Sequence, residues 1–174
     1  ASSNALGSGT LALIGSATVP ATLNITDTTT IANVITVAGD PVFNVASGTT
    51  TTVASPITNG SSAGDVVVQG GGTLTLTAAN TYTGLTNINT GSTLALSGNG
   101  SIATSIGVTN NGTFNTSGKT GNVSVASYTQ GSTGTLAMSL SPSNTQKLVV
   151  SGAASLAGGL SLNAGVGAYT PGKY

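Results

Sequence analysis

GDVVVQGGGTLTLTAANTYTGLTNINTGSTLALSGNGSIATSIGVTNNGTFNTSG, residues Gly64–Gly118, repeats itself with a step of twenty residues. Val68, Ile88 and Val108 keep the step, as do Thr73, Thr93 and Thr113, and Leu74, Leu94 and Phe114. Gly71 and Gly91 keep it too, with Asn111 in the third place. Within each period Leu74 and Leu76, then Leu94 and Leu96, alternate with Thr, Ala or Ser. That alternation sends the leucines to one face of an extended strand and the small polar residues to the other. Gly, Asn and Ser clusters bound each run, as they bound short strands. No segment sustains a 3.6-residue period, so helix is not expected.

Strands this short do not stand alone. A fixed period near twenty lets the chain coil so that each strand lies on its counterpart one turn earlier, about 4.8 Å away and parallel to it. The expected fold is an all-β, right-handed parallel β-helix of about 20 residues per turn, so the 174 residues make about eight turns, a rod of roughly 40 Å. Leu74, Leu94 and Phe114 form one interior column and Val68, Ile88 and Val108 a second. Tyr82 and Ile102 begin a third, which Asn122 does not continue. Thr73, Thr93 and Thr113 form an outward ladder.

Outside this window the step loosens. Leu23 and Ile25 are followed at twenty by Phe43 and Val45, and Ile14 by Val34. Thr28–Thr30 and Thr49–Thr52 read as strand edges or corners, and Pro56 with Gly60–Gly64 as a longer loop. After Phe114 the step grows to 22 at Leu136 and 24 at Leu160, with Pro142, Asn144 and Pro171 as breakers. End repeats of solenoids are commonly atypical. Residues 1–127 therefore read as regular turns and 128–174 as a distinct end region of the same solenoid.

Composition narrows function. Three basic residues (Lys119, Lys147, Lys173) and three acidic ones (Asp27, Asp40, Asp65) give zero net charge, and 38% of residues are hydrophobic. Disordered chains pair low hydrophobicity with high net charge, so an ordered chain is expected. No basic footprint for nucleic acid exists, nor an apolar run long enough for a membrane helix. The start, ASSNALGSGT, lacks the pattern of a signal peptide, and both ends lie within patterned sequence, as in a piece of a longer chain. Absent Cys suits either a cytosolic chain or one that crosses an oxidising compartment unfolded.

No catalytic, cofactor-binding or metal site is expected, and no small-molecule substrate. There is no His or Cys for a triad or a zinc site. Ser105 and Ser124 are two serines of a Ser-rich chain, and Asp27, Asp40 and Asp65 fall on different turns and phases as turn residues. Gly70–Gly72 lacks the Lys and helix of a phosphate loop, and GGGTLTLTA has Thr where a calcium-binding repeat needs Asp. Tyr82 reads as a packed aromatic. An ice-binding lattice needs repeated Thr-x-Thr; Thr73-x-Thr75 supplies it once, before Thr93-x-Ala95 and Thr113-x-Asn115.

Gly70–Gly98 resembles the autotransporter-associated β-strand repeat of Gram-negative type V secretion passengers. Asn80, Thr81, Tyr82, Thr83 and Gly84 match its core, and Gly91, Thr93 and Leu94 its next strand, with Ser92 inserted. Leu85 stands in place of a Gly, and Ala79 replaces the usual Gly before Asn80. The tail is similar to the autochaperone that precedes the membrane barrel in such proteins. Tyr128, Gly134–Leu136, Leu148–Val150, Gly152–Ala154, Leu156–Leu160 and Tyr169–Tyr174 carry that likeness. The resemblance implies a non-catalytic stalk at the cell surface, whose C-terminal part promotes secretion and folding. It implies the protein's own outer-membrane β-barrel as partner. The alternative is an adhesin that contacts a host surface or like passengers.

Overall fold

The computed structural model describes residues 6–16, 18–142 and 146–167. Among them the chain forms strands and no helix, wound as a parallel β-solenoid. The first turn holds β1 (Leu11–Ile14), β2 (Thr22–Ile25) and β3 (Thr29–Ile31). The second holds β4 (Ile35–Gly39), β5 (Val42–Val45) and β6 (Thr50–Val53), and the third β7 (Ile57–Gly64), β8 (Val66–Gln69) and β9 (Thr73–Leu76). The fourth turn has two strands, β10 (Leu85–Ile88) and β11 (Thr93–Ser97), and so has the fifth, β12 (Gly107–Asn110) and β13 (Thr113–Gly118). The sixth turn holds β14 (Val123–Val125), β15 (Tyr128–Gln130) and β16 (Thr135–Leu140). The seventh holds β17 (Leu148–Val150), β18 (Ala154–Ser155) and β19 (Gly159–Ala164).

Like strands stack on like. One side of the rod is the seven-stranded sheet β2-β5-β8-β10-β12-β15-β18, and a second is β3-β6-β9-β11-β13-β16-β19. The third side is split into β1-β4-β7 and β14-β17. Every strand pairing is parallel, for instance Leu94 on Leu74 and on Phe114. There are roughly 7 turns of about 22 residues, fewer and longer than the twenty-residue step implies. The extra residues are spread along the rod, from the step between Leu11 and Ile35 to those between Val42 and Val67 and between Tyr128 and Ala154.

Interior columns follow the pairing. Leu74, Leu94, Phe114 and Leu136 stack in register and are buried. Each fully buried aliphatic side chain of this size contributes about 1.5–3 kcal/mol, which compensates the ordering of short strands. The second column differs from the expectation. Ile88 pairs with Val68 but then with Asn110, because the corner between β11 and β12 adds two residues. Val108 instead continues Val66 and Thr86, and leads on to Tyr128. The interior past β10 therefore takes Asn110 and Gln130 where Val68 and Ile88 stood, all of them buried.

Further expectations are corrected by register. Ile14 lies beside Ala38, not Val34, and both Ile14 and Val34 are exposed. Residues 60–64 belong to β7, where the five-residue step from Asn59 to Gly64 faces the two-residue step from Val37 to Gly39 as a wide bulge. Thr29, Thr30 and Thr50–Thr52 sit within β3 and β6, while Thr28 and Thr49 precede them. Ile102 is followed in the core by Val123, one residue beyond Asn122. Gly71 and Gly91 adopt positive φ, whereas among the described residues no non-glycine residue does, so Asn111 does not repeat their conformation. Asn144 and Tyr169–Tyr174, with Pro171, lie outside the described residues.

Candidate functional site

The motif Asn80–Gly84 lies where the third side of the rod has no strand. Backbone bonds still join the turns there, with Thr81 N donating to Ile57 O at 2.9 Å and Asn80 N to Ser101 O at 3.0 Å, and the motif's side chains add to them. Asn80 Oδ1 accepts from the Ile57 amide at 2.9 Å, one turn below. Its Nδ2 donates to Ser101 O at 2.9 Å, one turn above, and to Ala78 O at 3.0 Å. Thr104 Oγ1 donates to Tyr82 O at 2.9 Å, and Thr83 N donates to Asn59 Oδ1 at 3.0 Å. Tyr82 is fully buried, and its hydroxyl shares a 2.7 Å bond with Thr86 Oγ1. Burial pushes its phenol well above the ordinary tyrosine range. Tyr82 is thus a core aromatic, as its place in the pattern implied.

Ser105 belongs to the same network. Its Oγ lies 3.0 Å from Thr86 Oγ1, and its one proton has the Gly84 and Gly107 carbonyls in reach at 2.8 and 2.9 Å. With its hydroxyl committed to backbone carbonyls, it serves the corner. Ser124 is exposed on β14. Gly70 and Gly71, both at positive φ, turn the chain from β8 towards β9, so Gly70–Gly72 is a solenoid corner.

The acidic residues are placed differently from the expectation. Asp40 and Asp65 share one phase, because each directly follows the paired residues Gly39 and Gly64. Burial, with the neighbouring Asp40 carboxyl as a smaller cause, holds Asp65 above the usual carboxylate range. The Leu85 amide, which donates to Asp65 Oδ1 at 2.8 Å, pulls the other way. The 25-residue spacing of the two acids hid this pairing from a twenty-residue reading. Among the described residues no group of three or more His, Cys, Asp or Glu could hold a metal ion.

Two surfaces of β-structure stand out. On the outer face of the second sheet, Thr50, Thr73, Thr93, Thr113 and Thr135 follow one another in register over five turns. Thr30, Thr52 and Thr75 form a parallel column two residues along. The Thr-x-Thr pattern thus extends towards the N-terminus, where unequal spacings concealed it. None of the hydroxyls in these two columns has a hydrogen-bond partner among the described residues. The amides along the first seven-stranded sheet differ: Asn44 Nδ2 donates to Asn24 Oδ1 at 2.7 Å, and Asn89 Nδ2 to Gln69 Oε1 at 3.4 Å. That row of amides bonds itself along the rod, while the threonine face leaves its hydroxyls to solvent.

The other surface is the seventh turn. Along one interior column exposure runs from 0% at Leu94 and Phe114, through 7% at Leu136, to 62% at Leu160. Leu156 and Leu162 are exposed as well. An open trough of about 630 Å³ results, floored by Tyr128 and Gln130 and walled by Leu136, Leu148, Leu156 and Leu160. Lys147 stands on it as a lone cation. No helix among the described residues is long and apolar enough to cross a membrane. Comparison with protein-family models, with curated proteins and with solved structures found no match.

Proposed function

We propose that this chain is a non-catalytic stalk segment of a Gram-negative autotransporter passenger, exposed at the cell surface, whose C-terminal turns promote secretion and folding of the rest. The protein's own outer-membrane β-barrel is its partner in this reading. Residues 1–127 form the stalk turns, and residues 128–174 act as the folding end region. The observation that supports it best is the stacking itself, in which each turn lies on its neighbour through parallel in-register strands, as Phe114 on Leu136 and Leu136 on Leu160. In a linear stack each turn is stabilised by its neighbour, so an apolar edge spares the next turn the cost of nucleation. The motif resemblance at Asn80–Gly84 points the same way. Near-absence of charge and of cysteine suits a chain that passes unfolded through a narrow pore.

The test is secretion of the full protein carrying Leu136→Asp or Leu160→Asp, with surface yield and protease resistance as readouts. Loss of surface yield with either variant is the expected result. Normal yield with both would remove the folding role.

A second reading, an adhesin, is favoured by the threonine face. Its unpartnered hydroxyls offer many weak hydrogen bonds, which avidity can make effective. A glycan array and a bead-aggregation assay distinguish the two. Binding that is lost on replacing Thr73 and Thr93 by Lys supports the adhesin, and silence in both assays supports the stalk.

A further inference from the structure

Asparagine followed by glycine is the dipeptide most open to self-modification. The glycine nitrogen, with no Cβ beside it, can close a five-membered ring on the asparagine side chain. The chain holds three such pairs, Asn59–Gly60, Asn99–Gly100 and Asn111–Gly112. Ring closure asks two things of the fold. The asparagine amide must be able to swing, and the glycine N–H must be able to shed its proton. A hydrogen bond on either group opposes the reaction.

At Asn59 the side chain is held. Its Oδ1 accepts from Thr83 N at 3.0 Å and Gly64 N at 3.4 Å, and its Nδ2 donates to Thr83 Oγ1 at 2.9 Å. At Asn99 the side chain is exposed, but the Gly100 N–H donates to Ser97 O at 2.9 Å. At Asn111 neither hold exists: among the described residues nothing bonds its side chain or the Gly112 N–H. The reason is corner length. Between the two seven-stranded sheets, residues 46–49, 89–92 and 131–134 make four-residue corners. Each closes with a turn bond from its last N–H, Thr49 to Ala46 O, Ser92 to Asn89 O and Gly134 to Gly131 O. Asn111 and Gly112 alone join β12 to β13, which is too short for such a turn.

Packing keeps the pair in place. A Cβ on Gly112 would collide with the Ser92 and Asn89 carbonyl oxygens, so glycine is required there. Asn111 N donates to Ile88 O at 2.9 Å, and Asn111 O accepts from Thr133 Oγ1 at 2.7 Å, so the side chain is the part left to move. Gly131, one turn above, brings no side chain against it: Asn111 Oδ1 lies where a Cβ of Gly131 would be. Asn111 is half-buried, so solvent water reaches this corner. We propose that Asn111–Gly112 is a self-modification site, where the chain deamidates without an enzyme. Gly112 N sheds its proton and bonds Asn111 Cγ. The Cγ–Nδ2 bond breaks, and ammonia leaves carrying that proton. Water then opens the succinimide at either carbonyl, which leaves aspartate or isoaspartate. The product puts a negative charge on a chain whose net charge is zero. The inference does not depend on what the chain binds or where it is displayed.

Incubation of the whole chain at mildly alkaline pH, followed by peptide mass spectrometry, tests it. In the folded chain the peptide with Asn111 should gain the mass of an amide-to-acid change roughly fivefold or more faster than those with Asn59 and Asn99. In denaturant the three should convert at comparable rates. Asn111→Gln, whose longer side chain closes its ring far more slowly, should abolish the acidic species seen on native isoelectric focusing. Four results would overturn the proposal. They are an unchanged Asn111 peptide in the folded chain, an equal rate at Asn99, the same ranking in denaturant, and an acidic species that persists in Asn111→Gln.

Discussion

Asn110 and Tyr128 are joined across one turn inside the solenoid, the Asn110 amide donating to the phenol oxygen at 3.0 Å. The phenol in turn donates a hydrogen bond to Gln130 Oε1 at 2.7 Å. Burial raises the Tyr128 phenol above its ordinary range, so it stays a donor through neutral pH. Tyr128→Phe keeps the ring, which lies tilted against Phe114 with centroids 6.2 Å apart, and removes only the hydroxyl. Gln130 Oε1 then loses its donor inside the core. A cost of about 1–3 kcal/mol follows, read as a drop of several degrees in melting temperature. An unchanged melting temperature would mean that the amides re-pair without the phenol.

Gly84 and Gly91 separate two reasons for glycine. A Cβ on Gly84 would collide with Gly64 O and Asp65 Oδ1, of which the first is backbone and cannot swing away. Gly84→Ala should therefore destabilise the fold by about 1–3 kcal/mol or more through overpacking. A Cβ on Gly91 meets open space, but φ there is +80°. Gly91→Ala should cost only about 1–2 kcal/mol from the left-handed backbone, and Gly91→Asn less. Denaturant midpoints of the three variants give the ranking. A larger loss at Gly91 than at Gly84 would contradict it.

The pH dependence of stability should carry a mark of Asp65. Its carboxyl is held above its ordinary value, so the folded chain binds that proton more tightly than the unfolded chain does. The stabilising contribution is complete below the unfolded carboxylate value of about 4 and is lost as pH rises through the raised value. Asp65→Asn should remove that part of the fall while keeping an acceptor for the Leu85 amide. Melting curves between about pH 3 and 7 measure the difference between parent and variant, which isolates this one group. A variant whose profile is no flatter than the parent's would rule out Asp65 as the source.

Much of the architecture was legible in residues 64–118, because equal turn lengths there keep Leu74, Leu94 and Phe114 at one spacing and in one register, the residues added before β12 being offset by a shorter corner after it. The same regularity misled at Val108: two added residues before β12 moved Asn110 under Ile88, a shift that periodicity over apolar residues does not register. A buried Asn or Gln reads as a corner residue in sequence, so the polar core of the last turns stayed hidden. The meeting of Asp40 and Asp65, and of Thr52 and Thr75, was hidden in the same way, since each crosses a turn longer than twenty residues. The Asn80–Gly84 motif was visible as a pattern. Its bonds to the turns on either side needed the structure, because its partners Ile57 and Ser101 lie 23 residues before and 21 after Asn80.

Thr51 offers a substitution that should strengthen the fold. It lies on β6, fully buried, in register with Leu74 on the next turn. Its Oγ1 has no hydrogen-bond partner, although the hydroxyl is enclosed. A buried hydroxyl without a partner costs free energy, whereas a methyl of the same shape in that place adds apolar contact. Val is nearly isosteric with Thr and shares its preference for strands. Thr51→Val should therefore stabilise the chain by about 1 kcal/mol and raise the melting temperature by about 2–4 °C. The neighbouring outward Thr52→Val serves as control, since its hydroxyl faces solvent and little change is expected there. A Thr51→Val chain that melts lower than its parent would show that the hydroxyl is satisfied in solution by a buried water.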